Sequence, residues 1–297
     1  MNINLKLLKE LETEAISIIW DSYSRSLNPA LMYSIGKDSS ALLHLVRKAF
    51  YPGKIPFPLI HIDTKWKFKE MIEFKKKIEK KFNLNIITYT NPESLNLDPQ
   101  INKNWTDKAK TEALKKLIDN YKFDFLFGGA RRDEEASRSK ERIVSIREKN
   151  HIWNPKNQKP EIWDLFNFEK YNDQNFRIFP ISNWTEADIW NYLYHEGIDI
   201  VDLYFSKKRS CVLRDGSYFM LDDKRFRLNR NEKIIFENIR FRTLGCYPLT
   251  AGIKSSAKTL KDIISENNTL KNSERAGRLI DLDKINSMEI KKREGYF

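Results

Sequence analysis

Hydrophobic residues follow two alternating patterns in the first half of the chain. Over residues 5–26 the apolar side chains fall three or four positions apart, which predicts an amphipathic helix. Short apolar runs then alternate with stretches of helical spacing. The runs predict strands at 30–33, 57–62, 85–90 and 123–127, and the spacing predicts helices at 41–50, 68–82 and 107–121. Strands and helices that alternate over short connections predict an α/β domain with a parallel twisted sheet and helices on both faces.

The pattern changes after about residue 147. Residues 151–175 are rich in Trp, Asn, Pro and Lys without periodicity, which indicates a long functional loop or a cover. Residues 177–181 predict a last strand of the sheet.

Further signals follow in the C-terminal part. Asn183, Thr185 and Asp188 resemble the cap of a helix over residues 185–195. Arg214-Asp215-Gly216-Ser217 between short apolar runs indicates a hairpin. We therefore expect the α/β domain over residues 1–182 and a mixed C-terminal extension over 183–297.

Composition narrows the class of protein. With 40% hydrophobic residues the chain of 297 residues is not a disordered one, and two cysteines cannot make a disulfide framework or an iron–sulfur cluster unaided. A net charge of +12 raises nucleic acid as a partner. Because the basic excess is spread along the chain, we expect no nucleic-acid partner; an anionic small substrate also fits it. Without a spanning apolar run or a signal peptide, we expect a cytoplasmic protein with no membrane partner.

Three polar clusters follow predicted strands, where parallel sheets bind their ligands. The first is the loop of residues 34–40, whose small side chains leave room for an anion at the start of the next helix. Lys37 adds a positive charge, and Asp38 could hold Mg²⁺ on phosphate oxygens. An ordinary capped turn is the alternative. The predicted phosphate-binding residues are Ser34, Gly36, which permits a tight turn, Ser39 and Ser40.

The second cluster is Asp63-Thr64, which could contact the ribose or a metal ion. Trp66 and Phe68 could pack on the adenine ring. The alternative is a helix cap with core aromatics. His61 lies inside an apolar strand, so we interpret it as a core histidine and leave it out of the site.

The third cluster follows the strand at residues 123–127. Gly128 and Gly129 let the backbone approach a ligand closely, and Arg131 and Arg132 offer forked donors for phosphate or sulfate oxygens. The acidic residues 133–135 could cap a helix, counter the arginines or bind Mg²⁺. A surface ion-pair run is the alternative, but the position at a strand end favours a site.

The three clusters together resemble the small subunit of bacterial sulfate adenylyltransferase, in the phosphoadenylylsulfate reductase superfamily. The first loop is not a Walker loop, since Leu31 stands where the first glycine belongs, but it matches the S-x-G-x-D-S loop of ATP pyrophosphatases. The resemblance implies an adenine nucleotide alpha-hydrolase-like fold. The segments that carry it are 33–40, 47–53, 127–135, 153–158, 182–186, 240–246 and the tail 287–297.

The resemblance implies that ATP and sulfate react to give adenosine 5′-phosphosulfate and pyrophosphate, the first step of sulfate assimilation. Lys37, Asp38, Arg131 and Arg132 would be catalytic, with Mg²⁺ at Asp38. In the family a separate GTPase large subunit couples GTP hydrolysis to this uphill step. This chain has no Walker loop of its own, so we expect that subunit as its partner.

Further residues bear on the resemblance. Arg240 and Arg242 are candidate sulfate contacts, with exposed strand charges as the alternative. Lys65 stands where the family usually has glycine, which questions the local turn. Trp105 stands where a histidine is expected, in a stretch from residue 95 to 107 that is shorter than usual.

Three other functions are weighed against this one. The related reductases need a cysteine in the tail, which reads Arg293-Glu294-Gly295-Tyr296-Phe297 here. Their cluster-binding members need a second cysteine where this chain has Leu249, so we interpret Cys246 as structural. An RNA-modifying pyrophosphatase fits the charge but usually needs thiol pairs or an RNA-binding module. A non-catalytic binding subunit conflicts with the intact residues of the loop and of the third cluster.

Overall fold

The structure is a computed structural model that describes residues 4–267, and the segment 287–297 lies outside this range. The α-helices are α1 (Leu5–Arg25), α2 (Lys37–Ala49), α3 (Lys69–Phe82), α4 (Ala113–Tyr121), α5 (Glu186–His195) and α6 (Leu260–Asn267). The strands are β1 (Pro29–Met32), β2 (Leu59–Ile62), β3 (Ile86–Tyr89), β4 (Phe125–Phe127), β5 (Val144–Arg147), β6 (Asn175–Ile178), β7 (Lys207–Arg214), β8 (Ser217–Met220), β9 (Ile235–Arg240) and β10 (Ile253–Lys254).

The larger sheet has the strand order β3-β2-β1-β4-β6-β5. All neighbours in it are parallel except β5, which pairs antiparallel with β6. The parallel sheet is therefore confirmed, and the antiparallel edge strand is an element that the sequence did not predict. The chain runs outward from β1 to β3 and then returns to β4 on the other side of β1. This reversal opens a crevice at the carboxyl ends of β1 and β4, where open α/β sheets bind ligands.

Alternate residues of the central strands face two different layers. Ala30, Ile60 and Leu126 pack with α4, whereas Leu31 and Leu59 pack in the layer that holds α1, α2, α3 and α5. Helices on both faces are thus confirmed. Burial on both faces also explains why these strands are continuous apolar runs rather than alternating ones.

Several boundaries differ from the prediction. Helix α2 begins at Lys37, four residues before the predicted start, so the polar residues 37–40 form its first turn. The predicted helix over 107–121 begins as a π-helical segment, Asp107–Glu112, and continues as α4. The last parallel strand covers Asn175–Ile178 rather than 177–181. The propensity pattern places elements well, but hydrogen bonding in the fold decides where each begins.

The C-terminal part forms a second sheet, antiparallel in the order β10-β9-β7-β8. The predicted hairpin joins β7 to β8, with Asp215 and Gly216 at φ of 46° and 75°, as a two-residue hairpin turn requires. The predicted cap of α5 is confirmed as a capping box of Thr185 and Asp188. Helix α5 packs in the same core as α2, and the division at residue 182 stays a prediction. None of the helices within residues 4–267 combines the length and the apolar character that a membrane span requires.

Candidate active site

A cleft opens at the carboxyl ends of β1, β2 and β4, at the crevice described above. One part of its wall is apolar and is formed by Met32, Ile60, Ile62, Leu114 and Phe179. The other part is polar and comes from the loops that follow β1 and β4, with residues 243–245 of the C-terminal part beside them. A flat aromatic base suits the first wall and a phosphate chain suits the second.

The loop after β1 presents its polar groups to the cleft. Ser34 Oγ donates to Ser39 Oγ at 3.1 Å, and Ser39 Oγ donates to the carbonyl of Gly36 at 2.9 Å. The left-handed residue of the turn is Ile35, at φ 71°, and not Gly36, at φ −74°. Our expectation that Gly36 supplies the tight turn was therefore wrong. A β-branched residue in this region is strained, and such strain concentrates at ligand-binding loops.

Tyr204 fixes the start of α2 from the C-terminal part. Its hydroxyl accepts a hydrogen bond of 2.7 Å from the backbone N–H of Lys37. Tyr204 also lines the cleft and packs edge-on against Trp190 of α5. The helix start is thus held by a residue 167 positions away, in the same wall that a phosphate would contact.

Asp38 lies between two cations. Its Oδ2 accepts from Lys37 Nζ at 3.2 Å and its Oδ1 from Arg131 Nε at 2.7 Å. Burial raises the pKa of Asp38, but the charges of Lys37 and Arg131 outweigh burial and hold that pKa below its usual value. Asp38 is therefore ionised at neutral pH, and it faces the cleft.

Gly128 and Gly129 both line the cleft. A Cβ on Gly129 would lie 3.1 Å from the carbonyl carbon of Asp38 and 3.2 Å from the backbone nitrogen of Ser39. One on Gly128 would lie 2.6 Å from Cε of Met32. At Gly129 the two loops thus approach backbone to backbone, and a larger residue there would force one of them to shift.

The two arginines of the third cluster take different positions. Arg131 is buried beneath Asp38 and also lies 3.6 Å from Asp133. Arg132 turns away and donates to Asn183 and to the carbonyl of Glu141. Neither arginine belongs to the cleft wall, whereas Glu134 and Arg138, from the same segment, do. Arg138 is an arginine that the sequence motif did not single out.

The second cluster, Asp63-Thr64, does not line the cleft. Asp63 accepts from the backbone N–H and the ammonium of Lys65 at 2.9 and 2.7 Å, and Thr64 contacts Cys246 Sγ at 3.6 Å. Lys65 takes the left-handed conformation at φ 58°, so the turn forms although a glycine is missing there. Trp66 and Phe68 are buried. The core interpretation of these aromatics is therefore confirmed.

Trp66 and Phe68 pack on Tyr247 of the C-terminal part rather than on the cleft. Trp105 is buried in the core as well. Each of these large rings thus stabilises the fold around the site without facing a ligand.

His61 is buried, and its Nδ1 donates to the carbonyl of Tyr33 at 2.8 Å, as a core histidine would. It nevertheless lines the cleft as well. Burial, followed by the charge of Lys67, lowers the pKa of His61 to about 3, so the ring is neutral at pH 7. The sequence missed this residue because an apolar strand gives no sign of which face meets a ligand.

The three remaining site candidates, Ser40, Arg240 and Arg242, lie outside the cleft. Ser40 is buried on the other side of α2, beside Tyr33. Arg240 is fully buried and donates to Glu266 of α6 at 2.7 and 3.0 Å, and Arg242 donates to Glu186 at 2.9 Å. Neither arginine is an exposed strand charge, and neither lines the cleft.

The fit of Mg²⁺ depends on Asp38. Residues 4–267 contain no group of three or more His, Cys, Asp or Glu that could hold a metal ion by themselves. Mg²⁺ that enters on a nucleotide needs only one or two carboxylates, because phosphate oxygens and water supply the rest. Asp38 is ionised and faces the cleft, so it fits such a single ligand.

Comparisons with known proteins identify relatives over nearly the whole chain. The family model of the phosphoadenosine phosphosulfate reductase domain matches residues 28–252. Sulfate adenylyltransferase subunit 2 of Aliivibrio fischeri strain MJ11 is 54% identical over 98% of this chain and 97% of its own length, and so is that of Sulfurimonas denitrificans.

A solved structure supports the fold. Candida glabrata FMN adenylyltransferase in complex with ATP aligns with a TM-score of 0.51 at 15% identity, over 92% of this chain and 88% of that one. The identity over the whole length and the matched domain together decide the family. The chain belongs to the sulfate adenylyltransferase subunit 2 family, as its small subunit, within the phosphoadenosine phosphosulfate reductase domain family.

Proposed function

We propose that this chain transfers the adenylyl group of ATP to sulfate, giving adenosine 5′-phosphosulfate and pyrophosphate as the first step of sulfate assimilation. The observation that carries the proposal is the contact of Asp38 with both Lys37 and Arg131 at the start of α2, in the crevice of the sheet. The related subunits are named for this activity, and the FMN adenylyltransferase with a similar fold was solved with ATP.

In this proposal the chain works by positioning and charge. The N-terminus of α2 binds the β- and γ-phosphates, and the apolar wall around Ile60 and Leu114 holds the adenine. The Lys37 side chain is buried and does not line the cleft, so it contributes its positive charge from behind Asp38. A sulfate oxygen attacks the α-phosphorus, its new P–O bond forms in line, and the bond to the pyrophosphate oxygen breaks. The nucleophile is already an anion, so the step needs no general base. Mg²⁺ carried by the phosphates, with Asp38 beside it, would neutralise charge on the departing pyrophosphate.

The chain also needs a partner in this proposal. A phosphoric–sulfuric anhydride lies uphill of ATP and sulfate, so its formation must be coupled to another reaction. Relatives carry the name subunit 2, which implies a second subunit. We infer that this subunit is a GTPase in the cytoplasm that drives the equilibrium through GTP hydrolysis.

The decisive experiment measures pyrophosphate release from Mg-ATP with and without sulfate. It is run with the chain alone and with a cognate GTPase subunit, with and without GTP. Release that requires sulfate and increases with GTP supports both activity and partner. ATP binding without pyrophosphate release in every mixture would contradict the proposed activity.

A further inference from the structure

Two lysines line the cleft outside residues 34–40, which we call the phosphate loop. Lys67 comes from the segment between β2 and α3, and Lys110 from the π-helical segment before α4. Both lie in the same cleft as Ser34, Gly36 and Asp38. No feature of the sequence singles them out, because a lysine among so many basic residues carries no signal of its own. Their position requires an explanation that the phosphate loop does not give.

The nearest carboxylate that acts on Lys67 is Asp63, which pairs with Lys65 instead. Within residues 4–267 its ammonium group forms no ion pair with a carboxylate. Burial lowers the pKa of Lys67; Cys246 opposes this effect, and the charge of Lys110 adds to it. Two ammonium groups that repel each other in a partly closed cleft are stabilised by an anion between them.

Lysines close to Lys67 and Lys110 in the sequence pair with carboxylates. Lys65 pairs with Asp63 at 2.7 Å, and Lys108 pairs with Glu93 at 3.2 Å. In the part of the chain that the structure describes, the Lys67 ammonium has no such carboxylate partner. An anionic ligand is the partner that its place in the cleft wall allows.

Lys110 is held towards the same place by an unusual backbone. It lies in the π-helical segment Asp107–Glu112, between the buried residues Ala109 and Thr111. Single π-helical turns inside α-helices occur frequently at functional sites, because they turn a side chain away from its α-helical position. Cys246 lies beside both lysines: burial raises the pKa of its thiol, but Lys110 and Lys67 outweigh burial and lower it.

We propose that Lys67 and Lys110 form the subsite for the sulfate ion, an inference that rests on the proposed function. The loop cations Lys37 and Arg131 already pair with Asp38, whereas the attacking sulfate needs positive charge of its own next to the α-phosphate. In-line attack also requires the sulfate to lie on the side away from the departing pyrophosphate, and therefore away from the phosphate loop. Two lysines on other elements of the cleft meet both requirements.

The test compares Lys67→Gln and Lys110→Gln with matched controls two residues away. Lys69→Gln and Lys108→Gln remove the same charge from side chains that do not line the cleft. In the complex with the second subunit, we expect each test variant to raise the KM for sulfate about tenfold or more, in the range for a lost charged hydrogen bond. The affinity of the test variants for ATP should change less than about twofold. In both controls, the KM for sulfate should also change less than about twofold. Lys67→Arg, which keeps the charge, should restore part of the sulfate affinity.

A binding measurement separates this subsite from the proposed activity. Radiolabelled sulfate is titrated into the complex saturated with α,β-methylene-ATP, which cannot release pyrophosphate. Sulfate binding that is lost in Lys67→Gln and Lys110→Gln supports the subsite even where no turnover is observed, in which case the proposed activity alone fails. Turnover with an unchanged KM for sulfate in both variants would overturn the subsite alone. Weakened ATP binding with unchanged sulfate binding would also overturn it, because the lysines would then hold the nucleotide.

Discussion

The Nε atom of Arg131 donates a hydrogen bond of 2.7 Å to Oδ1 of Asp38, and the two residues lie 93 positions apart along the chain. Arg131 is buried, whereas Asp38 faces the cleft. The arginine therefore acts through the carboxylate, which it orients and keeps ionised, and it is a positioning residue. A motif that places both residues in the site does not reveal this division of roles.

Asp38→Asn should abolish sulfate-dependent pyrophosphate release while the fold is kept. The amide has the same shape but removes the charge that Lys37 and Arg131 contact, and it cannot serve a metal ion as a carboxylate does. The measurement is pyrophosphate release, with circular dichroism as the check on folding. Asp133→Asn is the control, because Asp133 also contacts Arg131 but its side chain is half exposed and does not line the cleft. Equal turnover in Asp38→Asn and the wild type would remove Asp38 from the mechanism.

The pairing of Asp38 also predicts a pH dependence of stability. A carboxyl whose pKa is lowered in the folded state stabilises the protein above its unfolded pKa, and this stability is lost as the pH falls through the folded pKa. Arg131→Gln removes one of the lowering charges. The variant should therefore unfold at lower urea concentration than the wild type near pH 7. The gap should begin to shrink below about pH 4 and close only below the lowered pKa of wild-type Asp38, where this carboxyl is protonated in both proteins. A gap that stays constant over this range would show that Arg131 stabilises the fold independently of Asp38.

Much of the fold could be predicted because burial on both faces of a parallel sheet leaves a direct trace in the sequence. The apolar runs that became β1, β2 and β4 and the helical spacing that became α3 are examples. Strand β5 left no such trace, since it is an edge strand whose place depends on pairing with β6. Pairing with a distant strand is a tertiary property that local patterns do not contain.

The site could be predicted only in part. The loop after β1 has a recognisable motif, but the left-handed conformation falls on Ile35, where residue type argues against it. Tyr204 and Lys67 were missed because their role arises from position alone. Arg240 has the residue type of an anion contact, yet it pairs with Glu266 because the fold of the C-terminal part buries both together.

Gly129→Ala should weaken ATP binding and lower the stability of the fold. Its Cβ would lie 3.1–3.2 Å from backbone atoms of Asp38 and Ser39, and such overpacking costs about 1–3 kcal/mol. Because the crowded atoms belong to the first turn of α2, we expect the affinity for ATP to fall about tenfold. Calorimetric titration with ATP and urea unfolding measure the two effects. Gly36→Ala is the comparison for stability: its Cβ would meet only Ser34 and Tyr204 at 3.5 and 3.6 Å, so its unfolding should match the wild type.

Lys65→Gly should leave the free energy of unfolding unchanged or raise it slightly. Glycine adopts the φ of 58° without strain, a gain of about 1 kcal/mol. The lost ion pair with Asp63 offsets up to about 1 kcal/mol of this gain, since the lysine is half exposed. Urea unfolding measures the balance, and Lys65→Ala, which loses the ion pair but keeps the strain, should be less stable than Lys65→Gly. Equal stability of these two variants would show that the turn is not strained.

Tyr204→Phe should weaken ATP binding more than its small loss of stability suggests. The hydroxyl accepts from the backbone N–H of Lys37, and its removal leaves that donor without its partner at the helix start that binds phosphate in our proposal. The expected cost is about 1 kcal/mol of stability, with a fivefold or greater (about 1 kcal/mol) loss of ATP affinity. Tyr247→Phe is the matched control, because its hydroxyl also accepts from backbone N–H groups, those of Asp222 and Asp223, but it does not line the cleft. Comparable stability losses in both variants, with reduced ATP affinity only in Tyr204→Phe, would establish that the tyrosine positions the phosphate loop; equal ATP affinity in the two would assign it a purely structural role.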